Sequence, residues 1–190
     1  MAEMGSVSRF FVNLSASRRS ARRVEWIRGS AKIPRAAVCL EVGCGSGALA
    51  ARFVEGLGPA KYIATDIDPR QVEEARKLLA RRFPTGMPPA LELRIADMLR
   101  LPFPDGSFDV VLAFMALHHS GSNHHDPTAV PRVLAEVDRV LRPRGAFLYI
   151  EFLHKELIRS WLSQRGYSLE QVQRGWRVES VMARKPADAS

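Results

Sequence analysis

Apolar runs and amphipathic stretches alternate along this 190-residue chain. Short, nearly continuous apolar runs predict buried strands, and the run at 108–114 is typical of the central strand of a parallel sheet. The stretches between these runs repeat apolar residues at helical spacing, which predicts helices packed on a sheet. This alternation predicts a doubly wound α/β fold with a mainly parallel sheet. The predicted strands lie at 36–42, 61–65, 91–96, 108–114 and 146–151, followed by a hairpin of 168–173 and 177–184.

Capping residues set the starts of two predicted helices. Asp68 precedes Pro69, and this pair predicts an N-cap followed by the first helical residue. Asp126 and Pro127 predict a second helix start of the same kind. A last helix is predicted over about 155–165, so strands alternate with helices five times before the hairpin.

The segment before the first strand has its own pattern. Within 10–28, apolar residues recur between arginines, which predicts one or two amphipathic helices. This segment divides the chain into an N-terminal helical lid or cap, 1–33, and a main domain, 34–190. The same helices can form a lid over a ligand cleft, a basic contact face, or a helix packed on the sheet edge.

Composition sets the broad class. The chain is 46% hydrophobic and 25% charged, as in ordinary globular proteins, and no apolar run approaches the roughly 20 residues of a membrane span. Two cysteines and no apolar leader core predict a reducing, cytoplasmic setting. The formal net charge of +8 admits a nucleic-acid or protein substrate, but the positive residues are scattered and no nucleic-acid motif accompanies them.

A glycine-rich turn follows the first predicted strand. The strand ends at Val42, glycines follow at Gly43, Gly45 and Gly47, and a helical pattern begins directly after them. This order exposes backbone N–H groups and a helix N-terminus at the carboxyl end of a strand. Nucleotide-like ligands bind at such positions, so the turn predicts one.

Acidic residues mark three strand ends. Glu41 lies just before the glycines, and Asp66 follows about 20 residues later, the spacing at which a carboxylate reaches ribose hydroxyls. Asp97 lies one strand further along, where a carboxylate can accept from an exocyclic amine. Together these residues predict a cleft that binds adenosine.

Five segments then carry a family resemblance: LEVGCGSGALA, TDIDP, IADMLRLPFPDGSFDVV, ALHH and RVLRPRGAFLYI. In this order they resemble the motifs of class I S-adenosylmethionine-dependent methyltransferases, nearest the ubiquinone/menaquinone-biosynthesis-like type 11 branch. The resemblance covers about 37–151. It implies a Rossmann-like, seven-stranded, single-domain fold with an antiparallel last strand. It also implies S-adenosylmethionine as cofactor, S-adenosylhomocysteine as product and a small-molecule acceptor.

The resemblance further implies which residues hold the cofactor. The glycine turn and the acid before it would line the methionine end. The acid after the second strand would accept from the ribose, and the residues at the next strand ends would meet the adenine and close the methionine side. The implied cofactor residues are Glu41, Gly43, Cys44, Gly45, Asp66, Ile67, Asp97, Met98 and Phe114.

Histidines follow the fourth predicted strand. A hydroxyl acceptor needs a general base, and His118 and His119 are candidates because imidazole titrates near neutral pH. A turn or packing role for both is an equal interpretation. The spacing of His118, His119, His124 and His125 does not match the usual separations of zinc ligands and no cysteine is nearby, so no metal is predicted.

Three other functions stay open at this point. The turn also matches the G-x-G-x-x-(G/A) pattern of dinucleotide-binding oxidoreductases, although no separate substrate domain accompanies it. An RNA or protein methyltransferase could use the basic N-terminal helix. The third alternative is a non-catalytic cofactor-binding subunit of a partner protein.

Overall fold

The computed structural model describes residues 25–27, 33–174 and 178–187. In this part of the chain, seven strands are joined by four helices whose bounds can be given and by one turn of 3-10 helix at Leu117–His119. The strands are β1 (Val38–Val42), β2 (Lys61–Asp66), β3 (Leu91–Ile95), β4 (Phe108–Phe114), β5 (Leu141–Glu151), β6 (Ser168–Arg174) and β7 (Glu179–Arg184). The helices are α1 (Ala48–Leu57), α2 (Pro69–Arg82), α3 (Val130–Val140) and α4 (Lys155–Gln164).

All seven strands form one sheet in the order β3-β2-β1-β4-β5-β7-β6. Strands β1 to β5 pair in parallel, whereas β7 lies antiparallel between β5 and β6. The strand order reverses between β1 and β4, which places a topological switch point at their carboxyl ends. The predicted doubly wound, Rossmann-like fold with an antiparallel last strand is confirmed.

The core has two layers because alternate residues of each strand face opposite sides of the sheet. On β4, Val110 and Leu112 pack on the side of α1 and α2. Val111 and Ala113 pack on the other side, with α3 and α4. The side chains that fill both layers are almost entirely excluded from water.

Three details differ from the sequence expectation. Residues 96–107 join β3 to β4 without an α-helix, as the turn-rich sequence of 99–107 predicts, so the expected count of five alternations was too high by one. Strand β5 begins at Leu141 rather than 146, because Leu141 pairs with Phe108 before the register shifts to Ala146 opposite Val110. Helix α3 begins at Val130, not Pro127.

The late start of α3 has a local cause. The Asp126 carboxylate accepts from the Thr128 backbone N–H at 2.9 Å and from the Ser122 N–H at 2.9 Å. The side chain therefore closes a turn instead of capping a helix. By contrast, the predicted cap at Asp68 is confirmed, since its side chain accepts from the Arg70 N–H at 2.8 Å.

The predicted N-terminal helices lie largely outside the described residues. Within that segment, Glu25–Ile27 is helical, and Ile27 is wholly buried in the core layer that contains α1. The lid or cap over 1–33 and its boundary with the domain stay predictions. Among the described residues, no helix is long and apolar enough to cross a membrane.

Candidate functional site

The glycine turn between β1 and α1 is held from two sides. The Cys44 N–H donates to the Thr65 carbonyl of β2 at 2.8 Å. Gly43 has φ +69°, and a Cβ there would lie only 2.5 Å from the Cβ of Ala116, just after β4. A side chain does not fit at this point, so glycine allows the turn to lie against the segment that follows β4.

Asp66 ties the end of β2 to the glycine turn. One carboxylate oxygen accepts from the Gly45 N–H at 2.9 Å, and the other accepts from the Asp68 N–H at 3.0 Å. A carboxylate offers about four acceptor positions, so these bonds orient the group while leaving it capacity for further donors. Among the described residues, a Cβ built on Gly45 would meet no atom closer than Gln71 Oε1 at 3.9 Å, so they leave room beside the turn here.

Glu41 is buried inside the sheet, only 3% exposed. Its carboxylate accepts from the Tyr62 hydroxyl at 2.8 Å, and burial together with this neighbour raises the pKa of Tyr62. Burial, with contributions from Glu41 and Asp66, raises the pKa of the Cys44 thiol. Cys44 therefore contributes its backbone to the turn and not a thiolate, and Tyr62 is a supporting residue that sequence reasoning missed.

The ends of β2 and β3 carry exposed apolar side chains. Ile67 and Ile95 are each 58% exposed, and Ile95 lies opposite Asp66 in the strand register. Asp97 caps the next turn, since its carboxylate accepts from the Leu99 N–H at 2.8 Å. Met98 is half-buried against the core. The predicted adenine residues thus lie at neighbouring strand ends, and Ile95 adds apolar surface that the sequence analysis did not single out.

Phe114 ends β4 and is buried in the core layer of α1. The chain then turns sharply: Met115 has φ +59°, and its N–H donates to the Ile150 carbonyl of β5 at 2.8 Å. A left-handed conformation is costly for a residue with a side chain. This turn directs the following 3-10 helix, with its histidines, over the carboxyl ends of β4 and β5.

The two candidate base histidines occupy different environments. His118 is buried, and its Nδ1 lies 2.9 Å from each carboxylate oxygen of Glu151, itself wholly buried at the end of β5. His119 is exposed, with its ring centroid 4.1 Å from that of His118. Partial burial, and then His118 and His124, lower the pKa of His119 to about 4. Glu151 was missed, although an acid that ends an apolar strand is a readable signal.

A third imidazole joins these two. The His124 ring centroid lies 4.5 Å from that of His119 and 5.4 Å from that of His118. One ring nitrogen from each of the three residues lies within 4.8 Å of the others. The Phe152 ring contacts His118 edge-on at a centroid distance of 4.7 Å and is 37% exposed. The histidines and this apolar ring thus lie together at the carboxyl ends of β4 and β5.

Comparison with known proteins places these features in context. Residues 40–149 match a family model described as a methyltransferase domain. The phthiotriol/phenolphthiotriol dimycocerosates methyltransferase of Mycobacterium leprae (strain TN) is 35% identical over 160 residues, 78% of this chain and 54% of that protein. The 27-O-demethylrifamycin SV methyltransferase of Amycolatopsis mediterranei (strain S699) is 33% identical over 114 residues, 60% of this chain and 38% of that protein. The chain thus spans about half or less of these relatives.

Solved structures share the fold. The magnesium protoporphyrin IX methyltransferase of Synechocystis PCC 6803, solved with bound S-adenosylmethionine, has a TM-score of 0.71 at 16% identity, covering 97% of this chain and 86% of that chain. The [4+2]-cyclase SpnF has a TM-score of 0.73 at 17% identity, covering 88% and 81%. One architecture thus carries proteins named for different reactions, so function must be argued from the site.

Proposed function

The chain belongs to the methyltransferase domain family, in the type 11 branch of class I S-adenosylmethionine-dependent methyltransferases, and from this premise we propose that it methylates a small-molecule acceptor. The observation that carries the proposal is the position of Asp66. Its carboxylate ends β2 and is oriented by the N–H groups of Gly45 and Asp68. A carboxylate held in this way can accept from both hydroxyls of a ribose.

The glycine turn fits the methionine end of the cofactor. The described residues leave room at Gly45 beside Asp66, so a ligand can approach its backbone closely. Gly43 and Cys44 complete the turn, where the Cys44 and Gly45 N–H groups already donate to Thr65 and Asp66. Glu41 supplies a buried carboxylate beside the turn, held in place by the Tyr62 hydroxyl. The two carboxylates and the turn complement a ligand that carries an ammonium and a sulfonium.

The neighbouring strand ends fit the adenine. The exposed side chain of Ile67 offers an apolar surface next to Asp66, on which a flat ring can pack. Asp97 and the Met98 backbone N–H would meet the adenine amine and a ring nitrogen. Phe114 would close the methionine side. These assignments need the cofactor to lie across the ends of β1, β2 and β3, the half of the sheet on one side of the switch point.

When bound, the cofactor would supply the methyl group of its sulfonium. The acceptor oxygen would form a bond to the methyl carbon as the sulfur–methyl bond breaks, which leaves a neutral thioether. The protein aligns the reactants and excludes water. Glu151 holds the Nδ1 side of His118, so Nε2 is the ring nitrogen left to accept the proton of an acceptor hydroxyl. The pair of His118 and Glu151 lies at the ends of β4 and β5, on the other side of the switch point from Asp66.

The acceptor class follows from two supports. The exposed Phe152 ring beside His118 is apolar, which suits an apolar molecule carrying a hydroxyl. The names of both relatives denote small-molecule acceptors, a phthiotriol or phenolphthiotriol dimycocerosate and 27-O-demethylrifamycin SV. The proposed acceptor is therefore a hydroxylated, apolar small molecule of lipid or polyketide character.

The proposed compartment is the cytoplasm, where the free thiols of Cys39 and Cys44 stay reduced.

Methyl transfer tests this proposal directly. Protein incubated with methyl-tritiated S-adenosylmethionine and a panel of hydroxylated apolar acceptors, long-chain diols among them, should move label into the organic phase. Glu151→Gln should lower kcat at least tenfold and shift its pH profile, because His118 loses the carboxylate that fixes its tautomer. An unchanged pH profile would remove His118 from the role of general base.

The same assay separates the alternatives. Label recovered with added RNA or protein, and not with small molecules, would favour a macromolecular substrate reached through the N-terminal segment. Cofactor binding without transfer to any fraction would favour a non-catalytic subunit. Either result would overturn the small-molecule proposal.

A further inference from the structure

The proposed methyl transfer uses His118 alone and does not account for the two further imidazoles clustered beside it. We propose that His118, His119 and His124 bind one divalent transition-metal ion of the borderline class, for which Zn²⁺ and Co²⁺ are the probes. One ring nitrogen from each residue lies within 4.8 Å of the other two. Imidazole is a preferred ligand of these ions.

The contact between His118 and Glu151 is an independent support. A histidine that binds a metal usually donates its other N–H to a carboxylate, which fixes the ring and its tautomer. His118 has such a partner already in place: Nδ1 lies 2.9 Å from both oxygens of the buried Glu151. Nε2 is then the nitrogen available to a metal. One ligand of the proposed site is thus pre-oriented by the core of the sheet.

The other two ligands need to move only slightly. Tetrahedral zinc with bonds of about 2.1 Å holds its nitrogen ligands about 3.4 Å apart, so these nitrogens must approach by up to about 1.4 Å. His119 and His124 lie on the exposed side of the cluster, and their rings already contact that of His118, so the closure requires only side-chain rotation. The turn that carries His124 is anchored, because its carbonyl accepts from His154 Nε2 at 3.1 Å.

Such a site has an open coordination position. Three imidazoles leave the fourth position of a tetrahedral ion to water or to an oxygen ligand. The ion would occupy the Nε2 lone pair that the proposed general base needs. On the proposed function, the ion therefore competes with proton acceptance and inhibits methyl transfer, whereas metal binding itself does not depend on that function.

Metal binding is tested without any activity assay. Full-length protein, free of a polyhistidine tag and treated with chelator, is titrated with Co²⁺ by visible absorption and with Zn²⁺ by calorimetry. We expect one ion per chain with the absorption of tetrahedral Co²⁺. His119→Ala and His124→Ala should each weaken binding by more than about 100-fold, and Glu151→Gln by about 10–100-fold.

His125→Ala is the matched control. His125 is exposed and adjacent to His124, and its backbone N–H, not its ring, contacts Asn123. This variant should bind metal like the unmodified protein. S-adenosylhomocysteine affinity in each variant reports folding, since no cluster histidine is assigned to the cofactor. No binding, or equal losses in His125→Ala and His124→Ala, would overturn the proposal, even if methyl transfer proceeds as proposed.

Discussion

Replacing Gly43 with alanine tests how the glycine turn is built. Alanine at φ +69° adopts a left-handed conformation that costs about 1–2 kcal/mol. Its Cβ would also lie 2.5 Å from the Cβ of Ala116, too close for any real contact, and overpacking of this kind costs about 1–3 kcal/mol. Gly43→Ala should therefore destabilise the fold by about 2–5 kcal/mol.

Gly58 provides the control for this substitution. Its φ is +55°, but a Cβ there meets no atom within 4 Å among the described residues, so Gly58→Ala introduces the backbone strain alone. That variant should lose about 1–2 kcal/mol. For a domain of this size, 1 kcal/mol corresponds to about 2–4 °C in melting temperature.

Calorimetric melting of both variants separates the two costs. Gly43→Ala should melt clearly below Gly58→Ala, by about 2–12 °C from the overpacking difference alone. It should also bind S-adenosylhomocysteine more weakly, because the turn must move away from Ala116. Equal melting temperatures would contradict the expected overpacking, because they would mean that the segment after β4 moves away from the new Cβ without loss of stability.

Three further predictions follow from local contacts. Asp68→Ala removes the N-cap of α2 and should cost about 1 kcal/mol in chemical denaturation. Burial raises the pKa of the Cys39 thiol to about 12 and that of Cys44 still further, so neither should be alkylated at pH 8 by mass spectrometry until the protein is unfolded. Hydrogen bonds from Arg139 lower the pKa of Glu136 below its ordinary 4.5, so this group stabilises the fold above that pH and the stabilisation is lost on acidification. Glu136→Gln should therefore be less stable at pH 7, yet lose less stability between pH 5 and pH 3 in urea denaturation.

The sequence predicted elements well where local signals and burial agreed. Strand β4 has the predicted bounds, Phe108–Phe114, because every position of its apolar run is used in a buried central strand. The start of β5 was wrong, because Leu141 belongs to the strand only through its pairing with Phe108. That pairing joins residues 33 positions apart and leaves no local trace. The helix start predicted at Asp126 was also wrong, but here the cause is local. The Asp126 side chain closes a turn with Thr128 instead of capping a helix.

In the candidate site too, local features could be predicted and long-range contacts could not. The glycine turn after β1 and the place of Asp66 at the end of β2 could be predicted, because both are tied to fixed spacing along the chain. The residues that contact the functional groups could not be predicted. The contact of Tyr62 with Glu41 joins β2 to β1, and that of Glu151 with His118 joins β5 to the 3-10 helix after β4, so each depends on sheet order. Likewise, His124 meets His119 only because the intervening turn folds back.

We propose that the carboxylate of Asp66 anchors S-adenosylmethionine at the ends of β1 and β2. Calorimetric titration with S-adenosylhomocysteine and with NADH tests it most directly, with Asp66→Ala compared against Asp68→Ala, two residues away on the same turn. We predict that S-adenosylhomocysteine binds and NADH does not. Asp66→Ala should lose about 10–100-fold or more in affinity, because charge-assisted hydrogen bonds are worth about 1.5–3 kcal/mol each, whereas Asp68→Ala should change it less than about threefold. NADH binding, or equal affinity in Asp66→Ala and the unmodified protein, would contradict the account.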